Sequence, residues 1–328
     1  MNPYVFVAAA AIVLDYIIGD PQYLLHPVRL IGRLIGACEK VLYRSGKQGW
    51  VTGILLVGCV TGTTTGCVCI LYHVSGLLYP PLQSFLSIYI VYSCIAYRDL
   101  ISHCHDVQAA LAKNDIDLSR RKLALIVGRD VSSLDAYGIG RAVVETLAEN
   151  FVDGFLAPVF WYTAGCFIGR YLTAESVLPG VLCVVLYRTV NTLDYMVGYK
   201  SDRYRHFGWG GARLDDIANF IPARLSVVFL AAGAFLCRMN LSECMSVTFR
   251  DRLKHASPNA GHPESCVAGA LHIRLGGPVT YAYGVVQKPW MGNGPSTAGT
   301  EHIRKAFSLV NCSFFICSII VVMILVFM

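Results

Sequence analysis

Apolar residues are grouped along the chain into segments long enough to enter or cross a membrane. The longest charge-free run extends from Gln48 to Tyr97 and contains no Asp, Glu, Lys or Arg. A spanning helix needs about 20 mostly apolar residues, so this run has room for two helices. Pro80-Pro81 provides the break between them. A second charge-free run, from Ala306 to Met328, predicts a C-terminal anchor helix.

Four shorter apolar segments lie near residues 4–18, 154–172, 176–193 and 225–237. The first leads directly into charged sequence and lacks a preceding basic region, so we interpret it as a spanning or interfacial helix and not as a signal peptide. The last has only 13 residues between two arginines. That is short for a crossing, and we interpret this segment as re-entrant or partly buried.

No linker or internal repeat interrupts this pattern, so we predict one membrane-embedded domain over residues 1–328. The predicted fold class is all-α: a polytopic helical membrane protein with short cytoplasmic helices and ordered loops. In addition to the four shorter segments, the two charge-free runs supply apolar segments near residues 51–75, 82–97 and 306–328.

Composition and charge agree with a membrane protein. The 328 residues are 55% hydrophobic and 15% charged, whereas soluble domains carry about 25% charged residues. Of 27 Lys and Arg, all but Arg170 lie in four polar stretches, 19–50, 98–153, 188–224 and 238–305. Because positive residues beside membrane segments mark the cytoplasmic side, we expect a multi-pass protein of the cell membrane whose polar face is cytoplasmic.

The second polar stretch carries closely spaced carboxylates. Glu145, Glu149 and Asp153 are at i, i+4 and i+8, which places them on one face of a helix. Like charges at this spacing repel one another, so cations must offset them, and Arg141 is one available partner. Carboxylates that border a membrane tend to be functional. A solvated helix face is the alternative.

The third stretch contains a second group of polar residues. Asp215 and Asn219 are one helical turn apart, as are Arg213 and Asp216. Magnesium is commonly bound through one or two carboxylates together with substrate phosphates, so this group is a candidate Mg²⁺ site. The alternative is that Arg213 and Arg224 only neutralise the aspartates.

The fourth stretch is rich in turn residues. His255 to Gly261 contains Ser, Pro, Asn and Gly, and Lys288-Pro289-Trp290 follows a Gly-Gly-Pro sequence. Turns of this kind expose backbone N–H groups that can bind anions, and Lys288 could contact a phosphate. No GxxxxGK[ST] sequence occurs, so a P-loop is excluded.

Together these motifs resemble the CbiB/CobD family of adenosylcobinamide-phosphate synthases, and the likeness extends over almost the whole chain. Several motifs in the right order are more specific than any one of them. The matching residues include Gly19-Asp20-Pro21, His26-Pro27-Val28-Arg29, Gly128-Arg129-Asp130, Glu149-Asn150 with Asp153, Asn191-Thr192-Leu193-Asp194, Ala212 to Asp216, Asn219, Pro222 to Arg224, Ser257 to Gly261, Glu264, Leu275-Gly276-Gly277 and Lys288-Pro289.

The resemblance implies an amide-forming ligase. Such an enzyme joins a carboxylate of adenosylcobyric acid to the amine of (R)-1-amino-2-propanol phosphate or a related amino alcohol, and it consumes ATP. An acyl phosphate intermediate and Mg²⁺ fit this chemistry. For this reaction we assign Glu149, Asp153 and Asp215 as metal ligands. The assigned catalytic residues are these three together with Asp216 and Asn219. Substrate binding is assigned to Arg29, Arg129, Arg213, Arg224 and Lys288, which would contact phosphate or carboxylate groups, and to Asn191, Asp194 and Asn259, which would orient the substrate.

The expected partners are the corrinoid, the amino-alcohol phosphate and the lipid bilayer, and no nucleic acid. A homo-oligomer, or association with other enzymes of cobalamin biosynthesis, is compatible with this interpretation. Two other functions compete with it. A membrane prenyltransferase would need a second Asp-rich motif besides Asp215-Asp216, and a corrinoid transporter often shows inverted repeats. Neither feature is visible in the sequence.

Overall fold

Helices dominate the computed structural model, which describes residues 2–19, 26–44, 49–172, 176–199, 201–281 and 284–328. Asp20 and Pro21 of the first sequence motif lie outside the described residues. The helices are α1 (Pro3–Ile18), α2 (Pro27–Arg44), α3 (Trp50–Leu78), α4 (Pro80–Cys94), α5 (Tyr97–Ala112), α6 (Ile116–Leu123), α7 (Ala136–Phe151), α8 (Ala157–Leu172), α9 (Leu178–Val197), α10 (Trp209–Ala218), α11 (Phe220–Leu236), α12 (Leu241–Asp251), α13 (Gly261–Leu271) and α14 (Thr300–Phe327).

Four helical stretches are long and apolar enough to cross a membrane: Trp50–Leu78, Pro80–Ala112, Ala136–Tyr171 and Thr300–Phe327. The helices α10 and α11 pass the same test as a pair, in the manner of a broken span or a re-entrant loop. The predicted all-α fold of a polytopic membrane protein is therefore confirmed. Helix α3 is the most exposed of the four, since only 17% of its most apolar window is buried.

The chain forms two compact units. The first comprises Met1–Ala96, Ala157–Asn219 and Ile320–Met328. Its core includes the inner face of α2, where Ile31 and Ile35 pack with Leu56 of α3 and Phe207. The outer face of α2 carries exposed basic residues, so the helix is amphipathic.

The second unit comprises Tyr97–Leu156 and Phe220–Ile319. Tyr97 stacks on Phe314 of α14 with ring centroids 3.9 Å apart, and its hydroxyl donates to Asn311. Helix α7 approaches the backbone closely at Gly140, where a Cβ atom would lie 1.8 Å from the carbonyl oxygen of Ala298. Only glycine fits at this contact.

The second unit differs from the sequence predictions in two respects. A π-helical turn, Val152–Leu156, follows α7, and such a turn changes the rotation per residue. Asp153 lies in this turn and not in α7, and its alignment with Glu145 and Glu149 stays a prediction. The fourth polar stretch also contains strands, which were not predicted. They form two antiparallel pairs, β1 (Leu275–Gly276) with β4 (Trp290–Met291), and β2 (Val279–Tyr281) with β3 (Gly284–Val286).

Candidate active site

Asp215 is the centre of a hydrogen-bonded group in the first unit. Asn191 of α9 donates from Nδ2 to Asp215 Oδ1 over 3.2 Å, and Asn219 donates from Nδ2 to Oδ2 over 3.1 Å. The amide oxygens are held in turn, because the hydroxyl of Tyr187 donates to Asn219 and a guanidinium nitrogen of Arg188 donates to Asn191, each over 3.1 Å. Both carboxylate oxygens of Asp215 are therefore oriented by fixed donors.

Local backbone packing brings α10 against the end of α9. Gly208, directly before α10, lies so close to α9 that a Cβ atom would be 1.7 Å from the carbonyl oxygen of Val197. At the other end of α10, the indole nitrogen of Trp161 donates to the carbonyl oxygen of Ala218 over 3.0 Å. These contacts hold Asp215 opposite Asn191.

The remaining predicted site residues of the first unit are less enclosed. Arg213 and Asp216 form an ion pair of 3.3 Å in which the Arg213 side chain is 62% exposed. Asp194 is half-buried near the end of α9, and Arg29 is exposed in the first turn of α2. Asp215 and Asp216 thus have different partners, as adjacent positions on one helix require.

A second group of charges lies in the second unit around Glu145 of α7. Arg129 donates from Nη2 to Glu145 Oε2 over 2.6 Å, and both side chains are at least 85% buried. The N–H of Gly276 donates to the other carboxylate oxygen over 2.8 Å. Gly276 has a φ of +79°, a conformation that favours glycine.

Arg141, named from the sequence as one possible partner for these carboxylates, has other contacts. Arg141 instead donates to the carbonyl oxygen of Ser296 over 2.5 Å, and its guanidinium lies 5.4 Å from the ring centroid of Trp290. Arg129 reaches Glu145 from the loop that precedes α7. This loop is 16 positions away in sequence, so helical spacing could not reveal the partner.

Glu264 of α13 is the buried acid beside this group. Burial raises the pKa of Glu264 well above its usual range, and the negative charges of Glu145 and Glu149 raise it further, against the opposing effects of Lys288 and Arg129. His255 Nε2 lies 3.8 Å from Glu264 Oε1. The raised pKa favours the neutral form of Glu264, whereas Glu145 forms an ion pair with Arg129.

The other predicted site residues of the second unit occupy different places. Glu149 and Lys288 both act electrostatically on Glu264. Arg224, in the first turn of α11, donates from Nη1 to Asn259 Oδ1 over 3.4 Å. Asp153 lies in the π-helical turn. The structure therefore divides the predicted residues between the two units. Those around Asp215, with Arg29, lie in the first unit, and the second contains Arg129, Glu149, Asp153, Arg224, Asn259 and Lys288.

The oxygen donors of the Asp215 group suit Mg²⁺ in type but not in number. Among the residues that the structure describes, no three His, Cys, Asp or Glu side chains come together to hold a metal ion. Each carboxylate oxygen of Asp215 accepts one amide hydrogen bond and has a further lone pair. A magnesium ion here would need phosphate oxygens and water to complete its coordination.

Sequence reasoning did not assign a role to Glu264 or His255. Glu264 is matched by the family resemblance, and one local signal marks it. It is the single acidic residue of α13, whose other residues are mostly small or apolar (Gly261–Leu271). A helix of small and apolar residues is expected to be buried, and an acid within it is then an exception. Its neighbours come from distant parts of the chain, and nothing in the local pattern identifies them.

These features define a class: a polytopic helical membrane protein with a carboxylate-centred polar group in each of two units. A family model described as CobD/Cbib protein matches residues 8–310. The chain is 41% identical over 305 residues to the cobalamin biosynthesis protein CbiB of Salmonella arizonae, which covers 91% of this chain and 90% of that protein. It is 37% identical over 311 residues to the cobalamin biosynthesis protein CobD of Desulfotalea psychrophila, with 94% of each covered. The chain belongs to the CobD/CbiB family. No solved structure matches it significantly.

Replacing Glu264 by glutamine should alter the pH dependence of stability. A raised pKa means that the folded state binds the Glu264 proton more tightly than the unfolded state does. Proton binding therefore contributes to the free energy of unfolding. This contribution is complete below the unfolded pKa, near 4.5, and is lost as the pH rises. The loss has a slope of up to about 1.4 kcal/mol per pH unit. Glu264→Gln has no proton to lose at this position, so its stability should not fall in this way. The free energy of unfolding of the variant, relative to that of the wild type, should increase between about pH 5 and 7.

Thermal unfolding in detergent across this pH range measures the effect. Glu301→Gln is the control, because the Glu301 side chain is 62% exposed. Parallel pH profiles for the wild type and Glu264→Gln would show that Glu264 is not protonated in the folded protein.

Proposed function

We propose that this protein is an adenosylcobinamide-phosphate synthase, an ATP- and Mg²⁺-dependent ligase of cobalamin biosynthesis. It would join adenosylcobyric acid to (R)-1-amino-2-propanol phosphate or a related amino alcohol. The main support is the family match over residues 8–310. The relatives with 37–41% identity bear the names cobalamin biosynthesis protein CbiB and CobD, and they align over nearly their full length.

The proposed reaction has two covalent steps. A carboxylate oxygen of the corrinoid attacks the terminal phosphorus of ATP, the bond to ADP breaks, and an acyl phosphate forms. The amine nitrogen then attacks the acyl carbon, the bond to phosphate breaks, and the nitrogen loses a proton as the amide forms. Phosphoryl transfer of this kind depends on positioning and on positive charge around the phosphates, and it needs no protein nucleophile.

The residues of the protein would position these reactants. Asp215, fixed by Asn191 and Asn219, has the geometry of a preorganised ligand for Mg²⁺ bound to nucleotide phosphates. The ion would neutralise phosphate charge. Glu149 and Asp153 remain proposed metal ligands in the second unit, and Arg29, Arg129, Arg213, Arg224 and Lys288 remain proposed contacts to anionic substrate groups. Asn191, Asp194 and Asn259 are proposed to orient the substrate, and Asp216 to orient Arg213.

Incubation of the purified protein with ATP, adenosylcobyric acid and aminopropanol phosphate tests the proposal directly. We expect an amide product and one hydrolysed nucleotide for each amide formed, both detected by chromatography and mass spectrometry. Transport of the corrinoid into vesicles without a covalent product would favour the transporter. Consumption of a prenyl diphosphate would favour the prenyltransferase.

The adjacent carboxylates of α10 should respond differently to the same substitution. Asp215→Asn retains the size of the side chain but removes the charge that would bind a divalent ion. We expect kcat/KM for ligation to fall by about a hundredfold or more, since even an orienting group of a metal site is worth about 10–100-fold. Higher Mg²⁺ should restore part of the activity. Asp216→Asn, at an exposed ion pair, should cost about tenfold or less.

Both variants should insert into the membrane and purify normally, which size-exclusion chromatography would verify. Titration of activity with Mg²⁺ separates a metal role from a purely structural one. If Asp215→Asn retained wild-type activity and Mg²⁺ dependence, the metal would have to be sought at Glu149 and Asp153.

We also propose that the polar stretches face the cytoplasm, where ATP is available. Cysteines introduced at Asp117, Asp202 and Ala256, which are exposed, in a cysteine-depleted variant should react with an impermeant maleimide only after the cells are opened. Labelling of position 256 in intact cells would instead place the fourth stretch outside.

A further inference from the structure

Three positively charged or ionisable side chains converge in the second unit without a carboxylate partner. Arg224 belongs to the first turn of α11, Arg252 follows α12, and His262 is the second residue of α13. Burial and the two nearby guanidinium groups lower the pKa of His262 to about 4. Nothing in the sequence predictions assigned a role to Arg252 or His262.

His262 has an unused polar atom inside this group. The residue is only 5% exposed, and its Nε2 atom is buried with no hydrogen-bond partner among the described residues. Buried polar groups nearly always have a partner, because losing hydration without a replacement hydrogen bond is unfavourable. An unsatisfied imidazole nitrogen beside two arginines is therefore a position where a ligand atom fits.

The two arginines also lack counter-ions. In the described part of the chain, neither Arg224 nor Arg252 forms an ion pair. Arg224 donates to the carbonyl oxygen of Phe220 over 2.7 Å and to Asn259 over 3.4 Å, and Arg252 donates to the carbonyl oxygen of Phe249. These acceptors are neutral, so they leave the charge of both guanidinium groups uncompensated.

The acids nearest in sequence do not supply the missing charge. Asp251, directly before Arg252, pairs with Arg250 and Lys254 instead. Glu264 is two residues beyond His262, but burial and its carboxylate neighbours raise its pKa and so favour its neutral form. The hydrogen bond of Arg224 to the carbonyl oxygen of Phe220 and its contact with the Phe220 ring, 3.4 Å from the centroid, give Arg224 a structural role. They do not account for Arg252 or for the unsatisfied nitrogen of His262.

We propose that Arg224, Arg252 and His262 form a binding site for a phosphate monoester dianion. Two guanidinium groups match its two negative charges, and arginine suits phosphate because its N–H groups are arranged for paired hydrogen bonds. The imidazole Nε2 supplies a third donor, and Asn259, already in contact with Arg224, borders the site. A carboxylate would offset only one of the two positive charges.

This site rests on the proposed function for the identity of its ligand. Two reactants of the proposed ligation carry phosphate, the amino-alcohol phosphate and ATP. The shared chemistry is a phosphate group, and the kinetic experiment described below distinguishes the two sources.

Titration of the purified full-length protein with inorganic phosphate, followed by calorimetry, tests the site without any catalytic turnover. Loss of one charge-assisted hydrogen bond should weaken binding by roughly tenfold to a hundredfold. We expect such a loss for Arg252→Gln and for His262→Gln. Arg121→Gln, which makes the same charge change on the exposed side of α6, should bind phosphate like the wild type.

Because His262 is buried, its variant is compared with the wild type by thermal unfolding, and the half-buried Arg252 provides the test if His262→Gln does not fold. Equal phosphate affinity in the wild type and Arg252→Gln would overturn the site. An equal loss in Arg121→Gln would overturn it too, since it would show only a general effect of net charge.

Steady-state ligation then assigns the phosphate. A higher KM for aminopropanol phosphate alone in Arg252→Gln places that substrate in the site, and a higher KM for ATP alone places the nucleotide there. If neither KM changed, the site would be excluded as a substrate site. The wild-type protein could also form no amide and still bind phosphate through Arg252. That result would contradict the proposed function but would support the phosphate site.

Discussion

A carboxylate placed among apolar helices loses its hydration, and three acids of this protein, Asp215, Glu145 and Glu264, compensate for that loss in different ways. Asp215 accepts hydrogen bonds from Asn191 and Asn219. Glu145 pairs with Arg129 and accepts the N–H of Gly276. Burial raises the pKa of Glu264 and so favours its neutral form. A buried charge without a partner would cost more free energy than any of these three arrangements. The packing around each charged acid therefore has to include its partner.

These three solutions have different chemical consequences. A carboxylate oriented by side-chain amides has lone pairs left for another ligand. One that is bound by a guanidinium on one side and a backbone N–H on the other is already neutralised, so it acts mainly as a structural tie between α7 and the β1 turn. A protonated acid can donate a hydrogen bond, which a carboxylate cannot. Asp215 therefore retains the greatest capacity to bind a cation, which is why the proposed metal role depends on it.

The sequence was sufficient to predict features that depend only on residues close together in the chain. Long apolar runs predict spanning helices because lipid offers no hydrogen bonds to the backbone. Helical spacing also predicts that Asp215 lies beside Asn219 and that Arg213 lies beside Asp216, and hydrogen bonds join both pairs.

Features with a tertiary cause could not be predicted in this way. The N–H that completes the environment of Glu145 comes from Gly276, 131 positions away, and the helical neighbour Arg141 is engaged by Ser296 instead. The π-helical turn at Val152–Leu156, which contains Asp153, has no distinct sequence signal. The short strands around residue 280 lack the alternating pattern by which longer strands are recognised.

Helix α3 has a consequence for the bilayer itself. Its 29 residues correspond to about 43 Å at a rise of 1.5 Å per residue, whereas the hydrocarbon core of a bilayer is about 30 Å thick. The helix is mostly exposed along its length, so neighbouring helices do not hide this excess from lipid. Hydrophobic mismatch must therefore be relieved by tilting α3 or by thickening the surrounding lipid, at a modest free-energy cost for each ångström. Trp50, 49% exposed at the first residue of the helix, is an aromatic residue of the kind that anchors a tilted helix at the interface.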